Sequence, residues 1–256
     1  MYKRLRIGIL LFILLTVAIS AWRANAKVTG WKSTLQVALF PINADGSTAS
    51  QRYIEALQPE SIEPISKYLG EQASAHGLQM LYPVRVSLGP VIRTLPPPQP
   101  RGGSALDAIR WSLSMRWWAW RHTPATAIHP DVRLYLLYYD PATHTSVPDS
   151  AGLAKGQIGI AHLFATRTMH GSNLVVSTHE LLHTLGATDK YEPRNGLPRF
   201  PEGYAEPART PRLPQLQAEI MAGRIPRDEE HAEIPVSLDE TLIGPVTARE
   251  IGWARQ

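Results

Sequence analysis

His179-Glu180-Leu181-Leu182-His183, continuing as Thr184-Leu185-Gly186-Ala187-Thr188-Asp189, constrains this 256-residue chain more than any other segment. Positions four apart on an α-helix lie about one turn apart on the same face. A helix here therefore brings His179 and His183 to one point, with Glu180 beside them. Asp189 can join them only if the helix stops, because on a straight helix it would lie about 15 Å beyond His179. Gly186 supplies the stop: glycine takes up the left-handed conformation that ends a helix and turns the chain back. Two neutral imidazoles, one carboxylate and one open position are a donor set suited to Zn²⁺ in a site of the catalytic type.

A bare His-Glu-x-x-His occurs by coincidence on amphipathic helices, but adding the glycine and the aspartate lowers the chance expectation to on the order of 10⁻⁴ per chain. The flanks agree with a largely buried helix, with Leu174, Val175 and Val176 before the motif and Leu181, Leu182 and Leu185 within and after it. Glu180 is placed to take a proton from a water on the metal, the role of a general base in metal-assisted hydrolysis.

The pattern HExxHxxGxxD resembles the metzincin metallopeptidases, and with Asp as third ligand it looks most like their snapalysin-type branch. The resemblance covers about residues 130–256 and is specific only around 179–189. It implies an α+β single domain with a mixed twisted sheet, an active-site helix below a cleft and a methionine in a tight turn beneath the metal. Met221, in Glu219-Ile220-Met221-Ala222-Gly223, is similar in position, although a lone methionine also serves as a core gap-filler. Gly156-Gln157-Ile158-Gly159-Ile160-Ala161-His162 likewise resembles the family's edge strand, which pairs with an extended substrate. Tyr191 or Tyr204 would be the donor to a tetrahedral oxyanion, or simply packs. A different pattern of zinc peptidase takes its third ligand from a later glutamate; Glu219 is the candidate by position, and Asp189 fits the spacing behind Gly186 better.

The N-terminus bears on compartment. Lys3, Arg4 and Arg6 precede an uncharged run from Ile7 to Trp22, and Ala24-Asn25-Ala26 offers small residues for cleavage. This reads as a signal peptide over residues 1–26 with Lys27 first in the mature chain. The alternative is a retained anchor through residues 7–22; both readings place the domain of residues 27–256 outside the cytoplasm. Four of the 26 Lys and Arg residues and none of the 22 acids lie in that segment, so the remainder carries 22 of each. A neutral mature chain offers no footprint for nucleic acid. The absence of cysteine excludes disulfides, thiolate zinc sites and a cysteine nucleophile.

Periodicity predicts strands at Leu35 to Phe40, Val84 to Ile92, Val132 to Tyr139 and Gly156 to Ala165, and helices from Ser61 to His76 and Thr247 to Trp253. Leu95-Pro96-Pro97-Pro98-Gln99-Pro100 is an extended connector or a partner-binding motif. Ser104 caps a helix to about His122, on which Leu106, Ile109, Leu113, Trp117 and Trp120 form one stripe and Trp111, Met115 and Trp118 widen the arc. We expect that stripe to pack across a sheet; contact with membrane or an apolar substrate is the alternative. The proline-rich stretch from Tyr191 to Pro214 is a wall of the substrate cleft or a surface wrap. His76, His122, His129, His144, His162, His170 and His231 lack ligand spacing. Three function classes follow: an exported zinc peptidase acting as a monomer on peptide or protein, a zinc-dependent amidase for a cell-wall or other non-protein amide, and a non-catalytic zinc-binding protein.

Overall fold

The computed structural model describes residues 30–100, 104–126, 128–153 and 157–254. The segment read as a signal peptide or anchor, residues 1–26, and Gly156 lie outside these. Among the described residues no helix is long and apolar enough to cross a membrane.

Three near-continuous apolar runs form the centre of a sheet: β1 (Leu35–Asn43), β3 (Val132–Tyr139) and β5 (Ile158–Phe164). Such runs suit strands covered on both faces, since successive side chains point to opposite sides. With β2 (Val84–Leu88) and β4 (Ala151–Leu153) they make a five-stranded sheet in the order β2-β1-β3-β5-β4. All pairings are parallel except that of β4 with β5. The architecture is a mixed α+β fold.

On one face Leu35, Val37 and Leu39 of β1, Leu134 and Leu136 of β3, and Ala161 and Leu163 of β5 meet two helices. These are α2 (Glu63–Ala75), contributing Ile65, Tyr68 and Leu69, and α4 (His170–Leu185), contributing Leu174, Leu181, Leu182 and Leu185. Each such fully buried side chain contributes about 1.5–3 kcal/mol. The other face carries Phe40, Ile42, Tyr135, Leu137, Ile158 and Ile160, covered by α3 (Ala105–His122) through Met115, Trp118 and Ala119.

Several expectations change. The structure adds a short helix, α1 (Thr48–Glu55), capped by Ser47, whose side chain accepts from Ser50 N. The strand expected to reach Ile92 ends at Leu88, and Ile92 makes only an isolated bridge to Ile42. The stretch around 156–162 is not the edge strand. Ile158–Phe164 lies second from the edge and the three-residue β4 covers it. Three residues hold too little alternation to be read from sequence. The expected packing of the α3 stripe is also overturned: Leu106, Ile109, Leu113, Trp117 and Trp120 all face solvent. Beyond α4 the chain makes short pairings, β6 (Ala218–Glu219) with β9 (Thr241–Leu242) and β7 (Ile225–Pro226) with β8 (Ala232–Glu233). The last helix, α5 (Pro245–Glu250), sends Ala248 into the core, followed by Ile251 and Trp253.

Candidate metal centre

α4 is buried along most of its length, so its polar groups need partners; Thr178 Oγ1 donates to Leu174 O and Thr184 Oγ1 to Leu181 O. The helix ends where Gly186 takes φ of 108°, and Ala187 N reaches back to Leu182 O. The same turn orients a ligand: His183 Nδ1–H donates to Ala187 O at 2.8 Å. His179 Nδ1–H donates to Ile220 O at 2.9 Å. With each Nδ1 committed as donor, Nε2 of both rings is left as the lone-pair nitrogen.

Those two Nε2 atoms lie 3.0 Å apart. Asp189 Oδ1 stands 3.2 Å from His179 Nε2 and 3.1 Å from His183 Nε2. The three atoms thus form a near-equilateral triangle, close enough to share one cation or a proton carried by His179. Tetrahedral Zn²⁺ with bonds of about 2.0–2.1 Å sets its ligand atoms about 3.3 Å apart, so a few tenths of an ångström of adjustment would complete the fit. The turn at Gly186 brings Asp189 back as the spacing predicts. Glu180 offers a carboxylate oxygen within 4.8 Å of both imidazoles and forms with them a group able to hold a metal ion. Asp189 Oδ1 lies closer to both rings, and Glu180 stands beside the triangle.

Electrostatics at this point favour positive charge. Burial opposes a charge on His179, but Asp189, Glu180 and the Ile220 carbonyl outweigh it and push it up to about 9. Burial works to raise the Asp189 carboxyl, yet hydrogen bonding and charge from the two histidines hold it well below the usual carboxylate range. Glu180 moves the other way. Burial raises its carboxyl, offset in part by the two imidazoles. Its Oε2 is buried and has no hydrogen-bond partner among the described residues.

The floor of the centre is a single turn around Met221. Glu219, considered above as a third ligand, has no capacity left for a metal. Its carboxylate accepts from Met221 N, Ala222 N, Gly244 N and the Thr247 hydroxyl. It therefore clamps the Ile220–Ala222 turn, and with it the Ile220 carbonyl that holds His179. Met221 is fully buried below, in the main core. Lys190, next to Asp189, is buried and bonded to Glu250, while its backbone N–H donates to Met221 O.

β4 approaches the same helix from the side. A Cβ on Gly152 would overlap His183 Cβ and come within 2.9 Å of Glu180 O, so only glycine allows this approach. Tyr191 lies at the centre: burial, then the adjacent Asp189 and Glu180 charges, push its phenol up to about 12. Tyr204 lies elsewhere, beside a cavity of about 360 Å³ lined by Glu192, Arg199, Phe200 and Arg212 of the proline-rich stretch and by Asp228 and Glu229 beyond it. Among the other histidines, His76 bonds Ile243 O, His162 bonds Tyr139 and His170 bonds Tyr53 and Ser61 O. Sequence reasoning missed Gly152, Lys190, Glu250 and the clamping role of Glu219. The signals were faint: a glycine in a short strand, a lysine beside a ligand, an acid two residues before a methionine.

No protein-family model and no curated protein matches this chain. A solved structure of a chaperone-substrate complex is similar over 87% of the chain, which spans 36% of that structure's chain, at 14% identity and a TM-score of 0.35.

Proposed function

We propose that the protein is an exported zinc metallopeptidase of the metzincin kind, with His179, His183 and Asp189 as ligands and Glu180 as general base. The observation that carries this reading is the triangle of Nε2, Nε2 and Oδ1 at 3.0–3.2 Å with an unpartnered buried carboxylate beside it. A purely structural zinc site is normally closed by four protein ligands and needs no such base.

Bound Zn²⁺ supplies Lewis acidity, polarising a carbonyl and drawing a water towards ionisation. Glu180, made more basic by burial, takes the proton of that water and returns it to the leaving amine. Tyr191 holds a neutral phenol whose O–H donates to the oxyanion. β4 uses one edge to pair with β5, and an extended peptide adds along the other, beside His183.

The test is a diverse peptide mixture incubated with the protein, with and without chelator, alongside Glu180→Gln. Cleavage should stop with chelator and fall about 10²–10⁴-fold in the variant, which keeps its zinc. Protein that holds one zinc yet cleaves no peptide would overturn the peptidase reading, and unchanged turnover in Glu180→Gln would overturn the mechanism.

A further inference from the structure

α3 has two apolar faces. Met115, Trp118 and Ala119 cover the sheet, while Leu106, Ile109, Leu113, Trp117 and Trp120 point away from it, each between 56% and 78% exposed. At 100° per residue those five fall within an arc of about 80°, in a row about 21 Å long. They expose several hundred Å² of contiguous apolar surface, the size that marks an interaction site on a monomer. Arg110 and Arg121 border the row at about 60–80° on one side and Arg116 at about 60° on the other. The acid of this helix, Asp107, is tied into the cap by the Ser104 amide and hydroxyl.

Charge decides the occupant. A second copy laid face to face would set arginine against arginine on both flanks. An anionic bilayer meets both features at once: the apolar row enters the acyl boundary, tryptophan suits the interface, and the arginines reach the phosphates. We propose that α3 is an interfacial helix that seats the protein on an anionic lipid surface through Leu106, Ile109, Leu113, Trp117 and Trp120, with Arg110, Arg116 and Arg121 at the headgroups. The proposal does not depend on the metal centre.

The chain has no cysteine, which permits a local test on the full chain despite residues 7–22. An environment-sensitive fluorophore is placed through Leu113→Cys, through Trp117→Cys, and through Glu55→Cys on exposed α1 as control. In vesicles of phosphatidylglycerol and phosphatidylethanolamine, the probes on α3 should shift to the blue and be quenched by acyl-brominated lipid, while the control stays water-like. In phosphatidylcholine vesicles, or with Arg110→Glu and Arg121→Glu combined, the docked fraction should fall about tenfold. A water-like signal at both α3 positions on anionic vesicles overturns the proposal. So does quenching indifferent to lipid charge, or a probe shielded without lipid in particles of twice the mass.

Discussion

Lys190 Nζ lies 2.8 Å from both carboxylate oxygens of Glu250, joining α5 to the residue that follows Asp189. The ammonium is sealed from solvent and also donates to Thr188 O and Thr188 Oγ1. The ion pair thus spans the loop from Gly186 to Lys190 and steadies the Asp189 carboxylate beside the imidazoles. Replacing Glu250 with Ala leaves a buried cation unpaired, which costs about 3 kcal/mol. Zinc affinity should also fall about 10–100-fold, because the ligand loop loses its outer support. Burial acts to raise the Glu250 carboxyl, but the Lys190 and Thr188 bonds lower it below 4.5. Its contribution is present above that pH and lost as pH falls through the lower folded value. Denaturation and chelator competition measure both effects; unaltered zinc affinity would show that the pair serves the fold alone.

Gly152→Ala should damage the centre from the opposite side. The added Cβ overlaps His183 Cβ, so β4 or the last turn of α4 must move, at a cost of about 1–3 kcal/mol. Weaker zinc binding and slower cleavage are expected together. A fully active variant would mean that β4 shifts freely and does not set the position of His183.

Glu219→Gln probes the turn beneath the metal. The carboxylate accepts from three backbone amides and one hydroxyl, and the carboxamide turns an NH₂ towards some of these donors. We expect a loss of about 2–4 kcal/mol by chemical denaturation. Met221→Leu nearly conserves volume and should cost less than about 1.5 kcal/mol. The reverse ranking would place the methionine, not the clamp, at the root of the turn.

Tyr191→Phe should retain zinc and lower kcat about 10–10³-fold with little change in KM, as expected for a donor acting on the oxyanion. A rise in KM at constant kcat would instead make Tyr191 a binding residue.

His162 predicts an acid-sensitive fold. Burial lowers its imidazole to about 4, against an opposing influence of Asp149. The unfolded chain takes up this proton near 6.5 and the folded chain near 4, so stability declines as pH falls between those values. His162→Phe should flatten that part of the stability-pH curve; an unchanged slope would assign the effect to other groups.

The convergence of His179, Glu180 and His183 was legible because its geometry is local. His179, Glu180 and His183 need only a helix, and Gly186 signals where it ends. Ser104 likewise marked the start of α3, and the apolar runs of β1, β3 and β5 were legible as strands. β4 was not legible, because three residues carry no period and their pairing depends on β5. Glu219 looked like a ligand candidate since its four donors come from residues up to 28 positions away.

α3 shows the division most clearly. Helical spacing put one apolar row at Leu106, Ile109, Leu113, Trp117 and Trp120, with Trp111, Met115 and Trp118 widening it. That row was expected to pack on the sheet, because hydrophobicity alone does not say which side of a helix is covered. The sheet covers one face of a helix, and packing chose Met115, Trp118 and Ala119 for it. Helix ends and strand composition are written in short stretches because they follow from backbone conformation. Which face is buried, which strand is the edge and what steadies Asp189 depend on partners distant in sequence, and these are settled only when the layers come together.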